Sequence, residues 1–314
     1  MLKMERIKIV SPCSSANLGS GSDTFGLALE AFHDTLTAEL TDSGIKVEVF
    51  GLHANKIPIG LEKNTAGLVA KNLLAGRDIG VRIRLEKGIP LSMGLGSSGA
   101  SAAACAVGLN HLLGLGLSQN ELVKVAAMGE VAAAGAGHAD NVAASVLGGF
   151  TMVQTFGESL FAIRLDPPTS LEVALAMPLI ETPKSKTAMA RAILPKSVPF
   201  ENAIFNVRNA ASIVAGFHLG DVAMIGRGMT DVIVEPARMR LIPNYEGVKK
   251  AAFDAGASGV AISGAGPSVI AIVDNTKVSA TNVAEAMGDA FLADGVRCEA
   301  CCTRPSLKGT VKVS

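Results

Sequence analysis

Residues Pro90–Ala103 read PLSMGLGSSGASAA, a glycine-rich loop that runs into an alanine-rich stretch of helical composition. Gly94, Gly96 and Gly99 fit the G-x-G-x-x-G pattern of dinucleotide sites. The same run fits a P-loop, except that Ala100 stands where that loop has its lysine. Both patterns use backbone amides to hold a phosphate, so the surrounding sequence has to decide which kind of site this is.

The surrounding sequence disfavours both of these standard patterns. Seven residues separate the predicted strand Val81–Glu86 from Gly94, whereas a dinucleotide fold turns directly from a strand into its glycines and ends a second strand in an acid about twenty residues on. Ala100 cannot supply the cation of a P-loop. The remaining interpretation is a helix, predicted over Ser97–Leu113, whose first amides and positive dipole end suit a phosphate chain. An ordinary glycine-rich helix start is the alternative.

The composition favours a two-domain protein with a small-molecule partner. The chain has 314 residues, 49% of them apolar, and 28 Lys plus Arg balance 28 Asp plus Glu. This length is enough for two domains of ordinary size, and the neutral balance offers no surplus charge for nucleic acid. Five cysteines predict reduced thiols and a cytoplasmic location. A metal site at the C-x-x-C spacing of Cys298 and Cys301 is a minor alternative.

The uncharged run Gly88–Asn120 is long enough to consider as a membrane span. Its glycines and serines, together with Asn110 and His111, suit a loop followed by a buried helix better than lipid. The first residues, MLKMERIKIV, contain no long apolar core before a small-residue cleavage site, so no secretory signal is predicted. We therefore expect no membrane partner.

Hydrophobic periodicity predicts mixed α and β structure in both halves of the chain. Strands are predicted at Ile7–Ser11, Leu36–Thr41, Lys46–Phe50, Val81–Glu86, Phe150–Gln154, Leu171–Met177, Gly259–Ser263 and Val269–Val273. Helices are predicted at Ser97–Leu113, at Ser118–Ala134 behind the capping box Ser118-Gln-Asn-Glu121, at Ala203–His218 and at Gly247–Ala255. The proline-rich connector Asp166–Ser170 divides an expected N-terminal domain, 1–165, from a C-terminal domain, 166–314.

A carboxylate and a polar cluster follow the loop. Glu130 interrupts an apolar stripe of the helix that the capping box starts. An unpaired buried carboxylate is costly, and Lys124 lies on the other face, so a divalent cation facing the phosphates explains Glu130 better than an internal salt bridge. His138, Asp140 and Asn141, flanked by small residues, then predict a polar pocket.

Three motifs resemble the signatures of the galactokinase, homoserine kinase, mevalonate kinase and phosphomevalonate kinase (GHMP) superfamily. The matching stretches are Ser15–Asp23 (SANLGSGSD), Pro90–Ala103 and Ile262–Pro267 (ISGAGP), in that order over nearly the whole chain. The segments that resemble homoserine kinases in particular are His138–Asn141, Lys186–Pro195, Glu235–Arg238 and Leu241–Pro243. One departure is Ser22, where the superfamily commonly has an aromatic residue.

The resemblance implies an α+β fold in which a ribosomal-protein-like N-terminal domain and a ferredoxin-like C-terminal domain enclose the site. It implies a kinase that uses ATP and Mg²⁺ to phosphorylate the side-chain hydroxyl of L-homoserine, a step of threonine biosynthesis, and that forms a homodimer. A sibling kinase acting on mevalonate, shikimate or a sugar is the alternative. A nicotinamide-dependent oxidoreductase and a non-catalytic binding module are more distant ones.

The resemblance also assigns roles to individual residues. The phosphates of ATP would lie along Pro90, Leu91, Ser92, Met93, Gly94, Leu95, Gly96, Ser97, Ser98, Gly99 and Ala100, and Mg²⁺ would be held by Ser98 and Glu130. Homoserine would be surrounded by Asn17, Asp23, His138, Asp140, Arg191, Arg238 and Gly264, with Asn141 and Thr187 near its hydroxyl. These charges suit a zwitterion, because the two arginines can bind a carboxylate and the two aspartates an ammonium.

The general base is left open by these assignments. No lysine lies within the polar clusters, and Asn141 stands where sibling kinases have an aspartate. We therefore predict that the site works chiefly by positioning and charge stabilisation. Asp23 and His138 are the alternative bases.

Overall fold

The structure is a computed structural model that describes residues 6–134, 139–157, 159–181 and 186–313. Its strands are β1 (Arg6–Ala16), β2 (Phe25–Thr41), β3 (Ile45–Gly51), β4 (Gly80–Lys87), β5 (Phe150–Phe156), β6 (Ser159–Leu165), β7 (Leu171–Pro178), β8 (Gly259–Ile262), β9 (Val269–Asp274), β10 (Cys298–Thr303) and β11 (Val311–Lys312). Its helices are α1 (Thr65–Leu74), α2 (Ser97–Leu113), α3 (Gln119–Ala134), α4 (Asp140–Leu147), α5 (Lys186–Ala192), α6 (Phe200–Leu219), α7 (Val222–Gly228), α8 (Glu235–Arg238), α9 (Tyr245–Asp254) and α10 (Ala280–Ala293).

The first sheet has the strand order β11-β1-β2-β4-β3, and β5 and β6 extend it from the other end of β2. The strand β2 pairs with β4 through residues 35–41 and with β5 through residues 25–27. In β4 the buried Val81, Ile83 and Leu85 alternate with exposed residues, as in a strand with one face on a core. That core lies under α1 to α4, where the small residues 102–106 of α2 are fully buried and let helix and sheet approach closely.

The second sheet has the order β10-β7-β9-β8, and all of its pairs are antiparallel. Helices connect β7 to β8, and α10 connects β9 to β10, so the strands and their crossovers follow the ferredoxin-like β-α-β-β-α-β order. The expected α+β fold with two sheets is therefore confirmed.

The chain passes from the first sheet to the second between Leu165 and Leu171. It later returns, because β11 pairs with β1 and brings Lys312 opposite Ile9. The two-domain division at residue 165 stays a prediction. The last strand, β11, follows that boundary in the sequence but belongs to the first sheet.

The predicted elements all have counterparts, but their extents differ and several elements were missed. The strand β2 begins at Phe25, eleven residues before its predicted start at Leu36, because its first residues are buried on both faces and show no alternation. The half-exposed edge strand β10 has no apolar alternation that would predict it. In the part of the chain that is described, no helix is long and apolar enough to cross a membrane; the uncharged run forms the loop and the buried α2.

Candidate active site

The loop between β4 and α2 needs its glycines because backbone and side-chain atoms of other segments approach it closely. Gly94 and Gly96 have φ values of 79° and 66°. A Cβ at Gly94 would lie 2.2 Å from the carbonyl oxygen of Ser263, and one at Gly96 would lie 2.2 Å from Ser14 Oγ. Gly96 is the N-cap of α2 and has no side chain to cap its first amides. The helix therefore starts with donors that its own cap does not satisfy, as an anion site requires.

Hydrogen bonds from both halves of the chain hold the loop. Ser263 Oγ lies 2.7 Å from the Gly94 carbonyl oxygen, and the Ser268 amide donates to the Met93 carbonyl at 3.3 Å. From the first sheet, the Ser14 amide donates to the Leu95 carbonyl at 3.1 Å. Ser263 Oγ also forms a hydrogen bond with Ser15 Oγ of the first motif at 2.9 Å, so the three motifs meet beside this loop.

Side-chain burial separates the residues of the Pro90–Ala100 stretch. The side chains of Leu95 and Ala100 lie in the core, with relative exposures of 1% and 0%. These two residues can offer a nucleotide their backbone only. Ala100, which stands where a P-loop has its lysine, therefore faces the core.

A buried ion pair lies beneath the start of α2. Lys87 Nζ contacts Asp34 Oδ2 and also donates to the Ser97 carbonyl at 2.8 Å and to Ser101 Oγ at 2.6 Å. Asp34 Oδ1 accepts from the amides of Gly88 and Ile89 at 3.0 and 3.2 Å. The pair joins β2, β4 and α2, and its two charges balance each other under the helix start. The sequence interpretation missed it because nothing local pairs these two residues.

Ser98 and Glu130 meet as the sequence predicts. Ser98 Oγ donates to Glu130 Oε2 at 2.9 Å, and Glu130 is only 5% exposed. Burial raises the pKa of this carboxyl to about 7, against the lowering effect of the Ser98 hydrogen bond. Its Oε1 is buried and has no hydrogen-bond partner among the described residues.

This orphaned oxygen fits a divalent cation, because a carboxylate and a hydroxyl oxygen are the hard ligands that Mg²⁺ prefers. The described chain holds no group of three or more His, Cys, Asp and Glu side chains that could ligate a metal. Mg²⁺ usually keeps several waters and takes phosphate oxygens as further ligands. Two protein oxygens near the glycine loop are therefore compatible with a magnesium site.

The third motif connects to two predicted substrate residues through one carbonyl. The Gly264 carbonyl accepts from Asn17 Nδ2 at 2.9 Å and from Arg238 Nη1 at 3.1 Å. Arg238 Nε also donates to the Ala190 carbonyl of α5 at 3.3 Å. Burial lowers the pKa of the Arg238 guanidinium, partly offset by the negative charge of Asp23.

The remaining predicted residues border the same region. Asp23 receives two contacts from Arg191 Nη2, at 3.0 and 2.8 Å, in an exposed pair. Its amide donates to Asn17 Oδ1 at 2.9 Å. Asp140 is buried at the start of α4, where its Oδ1 accepts from the Asn141 amide at 2.7 Å. Asn141 Oδ1 accepts from Ser14 Oγ at 3.0 Å, beside Gly96 of the loop.

Two further predicted residues are Thr187, placed near the acceptor hydroxyl, and His138, placed around the substrate. Thr187 lies in the first turn of α5, directly after Lys186, whose ammonium donates to the Ser92 carbonyl at 2.7 Å. His138 lies outside the described residues. Although no lysine lies within the polar clusters along the sequence, both Lys87 and Lys186 contact the loop or the helix start in the structure. The fold brings them there from separate strands and helices.

A buried aspartate that the sequence interpretation did not single out supports α8. Asp231 is 5% exposed and accepts from the amides of Ile233 at 2.8 Å and Glu235 at 2.9 Å. Asn206 Nδ2 of α6 donates to it at 2.7 Å. Asp231 thereby fixes the short helix that carries Arg238. The available signal was an aspartate placed just before a helix start, the residue type typical of caps.

Comparisons with known proteins agree with this geometry. The GHMP kinases N terminal domain matches residues 63–149, and the GHMP kinases C terminal domain matches residues 213–293. The chain is 45% identical over 294 residues to a homoserine kinase of Natronomonas pharaonis, covering 94% of this chain and 96% of that protein. It is 44% identical over 272 residues to a homoserine kinase of Methanococcus maripaludis, covering 86% of this chain and 88% of that protein.

Solved structures show the same fold. A crystal structure of homoserine kinase from Cytophaga hutchinsonii superimposes with a TM-score of 0.91 at 35% identity, covering 100% of this chain and 99% of that chain. A mevalonate kinase of L. major, crystallised with R-mevalonate, has a TM-score of 0.67 at 13% identity over 95% of this chain and 96% of that chain, a likeness of fold alone.

The fold and both domain matches define a kinase of the GHMP class. Within this class, the sequence identity of 44–45% to homoserine kinases, over most of this chain and of those proteins, indicates the family. The chain belongs to the homoserine kinase family.

Proposed function

We propose that the protein transfers the γ-phosphoryl group of ATP to the side-chain hydroxyl of L-homoserine, the step of threonine biosynthesis that the resemblance implies. One observation carries this proposal. The Ser263–Gly266 turn contacts the glycine loop on one side, through Ser263 Oγ and Gly94, and accepts hydrogen bonds from Asn17 and Arg238 on the other. A phosphate chain on the loop and a zwitterion at Asn17 and Arg238 would therefore be neighbours, as in-line transfer requires.

The triphosphate would be held by backbone amides at the start of α2. The unfilled N-cap at Gly96 and the positive end of the helix dipole favour an anion there. The buried pair of Lys87 and Asp34 fixes the helix start from below, because Lys87 donates to the Ser97 carbonyl and to Ser101 Oγ.

Mg²⁺ would be held by Ser98 Oγ and the orphaned Glu130 Oε1. When bound, it would supply positive charge that offsets the negative charge of the phosphates during transfer. The protein's own part is to keep the Glu130 carboxylate buried and oriented by Ser98. Metal binding needs this carboxylate in its ionised form.

Homoserine recognition would rest on matched charges. Arg191 and Arg238 would bind its carboxylate, Asp23 and Asp140 its ammonium, and Asn141 and Thr187 would orient its hydroxyl. Asp23 and Arg191 already face each other. Catalysis would then come chiefly from positioning and charge stabilisation, with Asp23 and His138 as the alternative bases.

The decisive test compares two substrates that differ in one charge. We expect kcat/KM for L-homoserine to exceed that for 4-hydroxybutyrate by roughly 10² or more, because the latter lacks the ammonium that Asp23 and Asp140 would bind. Asp140→Asn should shrink this ratio. Asp42→Asn, an exposed aspartate, is the matched control and should leave it unchanged.

A ratio near unity in the wild type would contradict homoserine as the substrate. Coupled ADP release across homoserine, mevalonate, shikimate and galactose would then identify a sibling activity, and a nicotinamide absorbance trace would test the oxidoreductase alternative. Nucleotide binding without turnover on any of these substrates would indicate a non-catalytic module.

We further propose a cytoplasmic homodimer. The five cysteines are all free thiols in the structure, which supports a reducing compartment, and the dimer rests on the family resemblance. Light scattering of the purified protein tests the oligomeric state.

A further inference from the structure

Lys186 occupies the junction of three segments. It is the first residue of α5. Its ammonium donates to the Ser92 carbonyl of the phosphate loop at 2.7 Å and to the Gly266 carbonyl of the third motif. The loop, the Ser263–Gly266 turn and the helix that carries Thr187 and Arg191 therefore meet at this one positive charge.

The charge of Lys186 is balanced by no carboxylate of the described residues. Within the described ranges, no ion pair includes it. Burial, and after it the nearby charge of Arg238, lowers the pKa of this ammonium to about 8. Neutral carbonyls compensate a buried charge only in part. A ligand anion in the cleft would supply the missing countercharge.

The other lysine near the loop cannot take this role. The three ammonium hydrogens of Lys87 have three acceptors, namely Asp34 Oδ2, the Ser97 carbonyl and Ser101 Oγ. The side chain is also enclosed, with 2% exposure. Lys186 has two carbonyl acceptors in the described chain, so its third hydrogen has no partner there.

We propose that Lys186 is a phosphate-contacting residue that supplies the cation which the glycine loop lacks at Ala100. Its third ammonium hydrogen donates to a non-bridging oxygen of the terminal phosphates of the nucleotide. The terminal phosphates are favoured because Lys186 precedes Thr187, which borders the acceptor hydroxyl in the proposed function. The inference rests on that function for its ligand, a nucleoside triphosphate.

Nucleotide affinities separate this contact from a purely structural link. The dissociation constants of ATP and AMP are measured by calorimetry, with Mg²⁺ present, for wild type, Lys186→Met, Lys186→Gln and Lys186→Arg. The neutral amide of Lys186→Gln can still donate to carbonyls. We expect both neutral variants to bind ATP with a dissociation constant about tenfold or more above that of wild type, as for loss of a hydrogen bond to a charged group. Their dissociation constants for AMP should stay within about twofold of the wild-type value.

Controls and kinetics complete the design. Lys186→Arg keeps the charge and should retain most of the ATP affinity. Lys196→Met changes an exposed lysine ten residues further along and should alter neither nucleotide's affinity. Thermal melting of each variant identifies any that does not fold, and Lys186→Gln is the variant expected to preserve the loop.

Two outcomes would overturn the inference. One is an unchanged ATP affinity in both neutral variants. The other is an equal loss for ATP and AMP, which would make Lys186 a link between the loop and the turn. A wild type that binds ATP but does not phosphorylate homoserine would contradict the proposed substrate only, because the contrast between ATP and AMP does not depend on the acceptor.

Discussion

Glu130 links the chemistry of the proposed site to the stability of the protein. Burial raises the pKa of its carboxyl from 4.5 to about 7 in the folded chain. Between these pH values the folded state holds the proton more tightly than the unfolded chain. The stabilisation is therefore fully present below pH 4.5 and is lost as the pH rises to 7, at up to ~1.4 kcal/mol per pH unit.

Replacing Glu130 by glutamine removes this titration. In the absence of Mg²⁺ and ATP, we expect the melting temperature of Glu130→Gln, relative to wild type, to be higher at pH 8 than at pH 5. With saturating Mg²⁺ and ATP, turnover should fall by roughly 10² or more, because an anion that holds the metal is lost. Differential scanning calorimetry and steady-state kinetics measure the two effects.

Glu121→Gln is the matched control for this prediction. Glu121 lies on the same helix α3, but it is exposed and closes the capping box with Ser118, where glutamine is also accepted. Its replacement should leave turnover unchanged. Near-normal turnover of Glu130→Gln would refute the metal role, and a melting difference independent of pH would refute the raised pKa.

At the level of secondary-structure elements, the pair of Lys87 and Asp34 ties α2 to the sheet. The two side chains are 2% and 0% exposed, and removing one partner leaves an uncompensated buried charge. We expect Lys87→Met and Asp34→Asn each to lower the free energy of unfolding by about 3 to 5 kcal/mol. The double variant should lose less than the sum of the two. Urea denaturation of the four proteins measures the coupling.

The exposed pair of Lys71 and Glu62 is the control for this cycle. Both side chains are more than half exposed, so Lys71→Met should change stability by less than about 1 kcal/mol. Additive losses at Lys87 and Asp34 would show that the two residues act independently and that the pair does not hold the helix start.

At the level of the whole molecule, one apolar cluster connects the two sheets. Phe150 of β5 stacks on Phe217 of α6 with ring centroids 4.0 Å apart and an interplanar angle of 9°. The same cluster contains Leu27 of the first sheet and Ile270 of the second. A shared core makes unfolding of either half expose apolar surface of the other.

We therefore predict that both halves unfold in one transition. Tyr245 is the only tyrosine and tryptophan is absent, so intrinsic fluorescence reports on Tyr245, which is buried in the apolar cluster of the second sheet and its helices α9 and α10. Far-UV circular dichroism reports on the whole chain. The two urea curves should coincide.

Phe217→Ala should lower the free energy of unfolding by about 3 to 5 kcal/mol. Phe205 lies on the same helix but is 39% exposed, so Phe205→Ala should lower it much less. Separate transitions would indicate independent domains.

Features with a local cause could be predicted from the sequence. The glycine loop, the start of α2 and the capping box at Ser118 depend on neighbouring residues and on conformations that glycine adopts readily. Glu130 was found because a carboxylate in an apolar stripe has a cost that the helical period reveals. The order of the three motifs indicated the GHMP kinase superfamily, and the comparisons confirm this family.

Contacts between distant parts of the chain were decided by the tertiary structure alone. Lys87 lies 53 positions from Asp34, Lys186 lies 94 from Ser92, and Asn17 lies 247 from the Gly264 carbonyl. A lysine or a backbone carbonyl has the same local pattern whether it faces solvent or a partner. Only strand register and helix packing fix which of them meet, because a hydrogen bond depends on distances of about 3 Å that no spacing in the sequence encodes.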